Sequence, residues 1–105
     1  MKLHRPLSQR QEALNERSLC AAILALRTPD EAKAFLRDLC TPAELQALSD
    51  RWAVVELLGQ GLAYREINRL TGVSVTTIGR VARYLTAGNG GYEIVAARLR
   101  PTRHG

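Results

Sequence analysis

Gly72 constrains this chain more than any other residue, because of what flanks it in the run YREINRLTGVSVTTIGRVA between Tyr64 and Ala82. Ile67, Val73, Ile78 and Val81 fall where two short helices crossing at a steep angle would bury side chains against each other, and the glycine falls where their connection needs a positive φ. The spacing predicts a helix-turn-helix over about residues 63–86. Its second helix should start after Ser74, whose hydroxyl can cap the free amides, and should carry Val75, Thr76, Thr77, Gly79, Arg80 and Arg83 on or near its exposed side. Small and hydroxylated residues at a helix start, followed by arginines, suit entry into a DNA major groove. Two positions depart from the usual pattern. Asn68 stands where most such motifs carry alanine, and Thr71 replaces an apolar residue one step before the glycine. A plain helical hairpin with a glycine turn is the competing reading of the segment.

Charge separates these readings. The chain carries 15 Lys plus Arg and 10 Asp plus Glu, a net charge of +5. Residues 1–56 hold eight of each sign, so the whole excess lies beyond Glu56, where seven arginines face only Glu66 and Glu93. The half containing the motif is therefore the half drawn to a polyanion. A membrane surface is a poorer fit, because no basic helix sets large apolar anchors opposite its arginines.

At 105 residues the sequence reads as a single helical domain with mobile tails at about residues 1–7 and 100–105. No apolar run reaches the roughly 18 residues that a membrane span requires, and the opening MKLHRPLSQRQE lacks the apolar stretch of a signal peptide, so a cytoplasmic protein is expected. Cys20 and Cys40 are too few and too far apart for a metal site and read as buried free thiols. His4 and His104 lie in the polar tails. No metal or other cofactor is expected.

Four to six helices can be placed from caps and periodicity, and no segment alternates like a strand. The first runs from about Ser8 to Leu26, and its latter part, LCAAILAL, is apolar on nearly every side, which calls for cover from a partner chain. Thr28-Pro29-Asp30-Glu31 reads as a capping box opening a helix that carries Ala34, Phe35 and Leu39 toward Cys40. Thr41-Pro42-Ala43-Glu44 repeats the device and opens a long helix with Leu45, Leu48, Trp52, Val55 and Leu58 on one stripe, the expected central core. Gly59 and Gly61 end it. After Leu85, TAGNGG should break regular structure, and a last short helix from Tyr92 to about Leu99 should dock Val95 and Leu99.

Taken together, the apolar first helix, the TPxE-capped helix carrying Arg51, the VVELL run ending in glycine, and the REI and TIGR phrases resemble the Trp repressor superfamily. TTIGRVARYL and GNGGYE are most similar to its YerC/YecD-type, TrpR-related branch, and the likeness covers roughly residues 8–100. The resemblance implies an all-α fold in which two subunits interleave their N-terminal helices into an intertwined homodimer. Two recognition helices about 34 Å apart would then enter successive major grooves of double-stranded DNA, on a nearly palindromic site.

The resemblance also distributes roles. Arg65 matches an arginine that can reach a guanine edge, and Asn68 a polar contact on the same helix. Val75, Thr76 and Gly79 match the groove-facing part of the recognition helix, with Gly79 replacing a hydroxylated residue. Ser74, Thr77, Arg69 and Arg83 match phosphate contacts, which orient without reading sequence. Arg69 and Arg83 can also be read as solvated charges. For a ligand, Arg51 and Arg80 match the two arginines between which the repressor holds its amino acid, with Thr41 nearby. Val81 and Tyr84 stand where the family has a glycine and a serine. Their added volume should fill an indole-sized space, which argues against tryptophan as corepressor and leaves an effector of other chemistry open. The alternative for Arg51 and Arg80 is pairing with Asp50 or Glu56.

The expected function is a dimeric, sequence-specific transcriptional regulator, and most simply a repressor. The alternative is a helical dimerisation module that keeps the fold without reading DNA. A recombinase-type DNA-binding fragment would share the motif, but the chain has no acidic catalytic cluster to support it. An enzyme is disfavoured, since the carboxylates are dispersed, no nucleophile sits in a recognisable elbow, and TAGNGG follows a helix and lacks a phosphate-loop lysine.

Overall fold

A computed structural model describes residues 8–100 and divides the chain into two compact units, Met1–Thr41 and Pro42–Gly105. All regular structure among the described residues is helical. The terminal segments on which the expected tails, His4 and His104 fall lie outside the described residues, apart from Arg100, which follows the last helix in an extended conformation.

In the first unit, α1 (Gln9–Leu24) begins at Ser8, whose Oγ accepts the Gln11 N–H at 3.1 Å. It ends two residues short of the expected Leu26, with its last turn tightened by Leu26 N–H donating to Ile23 C=O at 3.2 Å. Four residues beyond Leu24, Thr28 is held by Pro29 in extended geometry, φ −133° and ψ 158°. Thr28 then caps α2 (Pro29–Leu39) by accepting the Glu31 N–H at 3.1 Å. The reciprocal arm of the box is displaced by one residue, with the Glu31 carboxylate accepting the Arg27 N–H at 2.9 Å.

No side chain of α1 or α2 is buried. Phe35 is half-buried, whereas Leu14, Leu19, Ile23, Leu24, Ala34 and Leu39 are exposed. The expected burial of the two cysteines is corrected accordingly: Cys20 is exposed on α1 and Cys40 is half-buried, both as free thiols. A small apolar thiol is covered only if its helix face is, and Cys20 shares its exposure with Leu14, Leu19, Ile23 and Leu24 of α1.

The second unit holds α3 (Pro42–Gly59), α4 (Tyr64–Thr71), α5 (Val75–Ala87) and α6 (Gly91–Leu99). Its core is Val54, Val55, Ile67, Val73, Ile78 and Val81. The four motif positions picked out in the sequence are all buried, but the α3 stripe is shifted. Val54 is fully buried beside Val55, Leu45, Trp52 and Leu58 are half-buried, and Leu48 is 41% exposed. Two helices, α4 and α5, pack against α3, so the covered arc takes in the adjacent positions Val54 and Val55. The helix then closes on Gly61 (φ 83°), with Leu62 N–H bonded to Leu57 C=O at 3.3 Å and Gly61 N–H to Leu58 C=O at 3.0 Å, the double bond of a left-handed C-cap.

Helix α5 runs two residues beyond Leu85, where Thr86 donates its hydroxyl to the carbonyls of Ala82 and Arg83. Helix α6 does not dock through Val95 and Leu99, which are exposed. It uses Tyr92 in its first turn, whose ring lies 6.4 Å from that of Trp52. No helix among the described residues is long and apolar enough to cross a membrane.

Candidate nucleic-acid interface

Residues 68–73 explain the two departures from the usual motif. Gly72 has φ 75°, ψ −1° and donates its N–H to Asn68 C=O at 2.8 Å. A Cβ there would meet no atom within 4 Å, so the glycine serves backbone conformation rather than space. Thr71 bridges the turn, its Oγ1 donating to Ile67 C=O at 2.7 Å and accepting the Val73 N–H at 3.0 Å. Asn68 donates its side-chain amide to Val73 C=O at 2.8 Å. Polar side chains therefore tie the end of α4 to the residue that begins the approach to α5, where an alanine and an apolar residue would supply only packing. Asn68 thus has a structural task besides the DNA contact that the resemblance implies.

Thr71→Val, which keeps the shape and removes the hydroxyl, strands the part-buried Val73 N–H. It is expected to lower unfolding free energy by about 1–3 kcal/mol, read as a lower urea midpoint at unchanged slope. A loss below about 0.5 kcal/mol would show that the bridge is not what holds the turn.

Helix α5 starts at Ser74, whose Oγ accepts the Thr77 N–H at 3.2 Å and donates to Thr77 Oγ1 at 3.1 Å. The first amides of a helix have no intrahelical partner, so this start offers donors and a partial positive charge to an anion. Ile78 and Val81 fix the inner face of α5 in the core, while Ser74, Val75, Thr76, Arg80 and Arg83 are exposed and Thr77 is half-buried. Gly79 is half-buried too, and the nearest atom to a Cβ built on it is Tyr64 Cε2, at 4.0 Å. On α4, Arg65 is exposed in the first turn, one residue after Tyr64. The structure thus brings Arg65, Ser74, Val75, Thr76, Thr77, Gly79 and Arg83 onto one helix pair. Sequence reading did not assign Tyr64, although its place at the head of the motif was visible.

Arg69 is engaged rather than free. Its guanidinium forks onto Glu66, Nε to Oε2 at 3.0 Å and a terminal nitrogen to Oε1. That hydrogen bond, with Arg69's charge as a smaller contribution, outweighs desolvation and lowers the pKa of Glu66, while the same carboxylate raises that of Arg69. The pair is solvent-facing, so it adds little stability. A phosphate must compete with Glu66 for Arg69.

On the other side of α5, Arg51 and Arg80 border an open cleft of about 740 Å³ whose lining includes the rings of Trp52, Tyr84 and Tyr92. Val81 and Tyr84 line this space rather than fill it, contrary to the expectation from their volume. The Arg80 guanidinium carbon lies 5.0 Å from the Tyr84 ring centroid and that of Arg83 lies 5.9 Å from it. No ion pair joins Arg51 or Arg80 to Asp50 or Glu56. Thr41, the third expected ligand contact, belongs to the first unit.

Comparison with known proteins finds similarity over most of the chain. The family model described as Trp repressor protein matches residues 15–100. YerC of Bacillus subtilis (strain 168) is 41% identical over 81 residues, which cover 77% of this chain and 78% of that protein. The crystal structure of a TrpR-like protein from Eubacterium eligens ATCC 27750 superposes with a TM-score of 0.80 at 37% identity, covering 92% of this chain and all (100%) of the other. A crystal structure from Staphylococcus aureus also gives 0.80, at 34% identity, covering 93% of this chain and 100% of that one.

Proposed function

The chain belongs to the Trp repressor family, and from that premise we propose that it is a sequence-specific DNA-binding regulator of transcription, acting as a repressor in the form of a homodimer. The observation that carries this reading is the exposed start of α5, a Ser74-capped helix end bearing Val75 and Thr76 with arginines on its flanks, held at a fixed angle to α4 by the Thr71 and Asn68 hydrogen bonds. In the groove, Val75 and Thr76 meet base edges and Arg65 reaches a guanine. Ser74, Thr77 and Arg83 hold phosphates. Arg69 joins them to the extent that DNA displaces Glu66.

The homodimer rests on α1 and α2. Ile23 and Leu24 are 48% and 85% exposed, and a second copy is the cover whose apolar face would match them. The cleft beside Arg51 and Arg80 is the seat of an effector in this reading. Val81 and Tyr84 line it where the family has a glycine and a serine, and leave it open.

Selection of bound duplexes from a random pool, with and without amino acids, tests the reading. Near-palindromic sites with half-sites about 10 base pairs apart, centre to centre, are expected. Arg65→Ala and Thr76→Ala are each expected to relax preference within a half-site, at a cost of about 1–3 kcal/mol against the selected duplex. A pool that emerges as random as it entered would overturn the proposal.

A further inference from the structure

Positions 75, 79 and 83 are spaced four apart and share one stripe of α5. The ends of that stripe, Val75 and Arg83, are exposed side chains, but its middle is a glycine that is nonetheless half-buried. The cover comes from the other helix of the motif, whose Tyr64 ring lies nearest to Gly79. At 4.0 Å a methyl group on Gly79 would make ordinary contact, so no clash forces a glycine there, and α5 simply presents no side chain at the centre of its outer stripe. Tyr64 is itself 41% exposed and directly precedes Arg65. An exposed aromatic ring beside an arginine, in the middle of a surface of small residues, is a rigid contact element with an apolar edge and a polar tip.

We infer that Tyr64 is a base-reading residue of the DNA interface, its ring standing on the groove face where α5 lacks a side chain at position 79. This rests on the DNA-reading function proposed above. The ring edge suits the apolar features of the major groove, of which the thymine methyl is the most prominent. Recognition at the centre of the stripe is thereby moved from α5 to α4.

The test uses the full chain, a duplex selected by the wild-type protein, and a scrambled duplex of equal length, with binding followed by fluorescence anisotropy at fixed salt. Tyr64→Ala should weaken binding to the selected duplex by about tenfold or more, relax preference at one base pair in each half-site, and leave the scrambled duplex unaffected. Tyr64→Phe should retain the preference. Tyr64→Leu, which keeps apolar bulk over Gly79, should relax it as alanine does and serves as the variant if alanine unfolds the protein. Wild-type preference in the Ala or Leu variant, or an equal loss on both duplexes, would overturn the inference while leaving the DNA-reading function intact. A wild-type chain that fails to distinguish the duplexes would instead overturn that function.

Discussion

Ile78→Ala is expected to lower the unfolding free energy by about 2–5 kcal/mol, among the largest stability effects of any single truncation in the described residues. Ile78 is fully buried, as are Val54 and Ile67, and among the described residues the core of its unit holds six buried side chains. A domain's margin is only about 5–15 kcal/mol, so a cavity here removes a large share of it. Ile78 also lies one turn from Ser74, so collapse around the cavity would carry the start of α5 with it. Ile78→Val should cost only about 0.5–1.5 kcal/mol, which separates lost volume from lost chemistry. Urea unfolding at one fixed protein concentration checks both, since assembly adds to apparent stability. A loss below 1 kcal/mol for the alanine variant would mean that the junction of α4 and α5 is not the load-carrying part of the fold.

The second large effect is on DNA affinity. With Arg69 and Arg83 of each subunit reaching phosphate, a dimer neutralises about four charges, and the logarithmic salt slope is near −3.6. Raising salt from about 50 to 200 mM should then weaken binding by roughly 10²-fold. A single subunit on its half-site would give about half that slope, so the titration also reports how many copies sit on the duplex. Salt-insensitive binding would leave the arginine-rich half of the chain without its proposed purpose.

Residues governed by local rules were legible in the sequence. Gly72 is recognisable because only a left-handed turn explains a glycine between two apolar-periodic runs, Thr28 because a cap needs only a hydroxyl and its spacing, and Ile67, Val73, Ile78 and Val81 because crossing helices bury fixed positions. Residues whose environment depends on packing were not. Val54 escaped the α3 stripe because two helices, not one, pack against α3. Val95 and Leu99 were assigned a contact that Tyr92 makes instead, and the cysteines were assigned burial that one chain does not supply. On the surface, Asn68 and Thr71 read as weaknesses of the motif because their value lies in hydrogen bonds across the turn, and a hydrogen bond between side chain and backbone leaves no periodicity. Arg51 and Arg80 were found through family likeness, but the room beside them was not, because Val81 and Tyr84 add volume without closing the space.

The aim of α5 is fixed within residues 54–81, by core side chains and by the Thr71 and Asn68 tethers, and α1 and α2 contribute none of those residues. The residues that aim α5 and those of α1 and α2 are therefore separately heritable. Under the homodimeric, DNA-reading function proposed above, substitutions before Thr41 would create a new mating preference between related chains, and changes at the start of α5 would retarget the protein without disturbing its choice of mate.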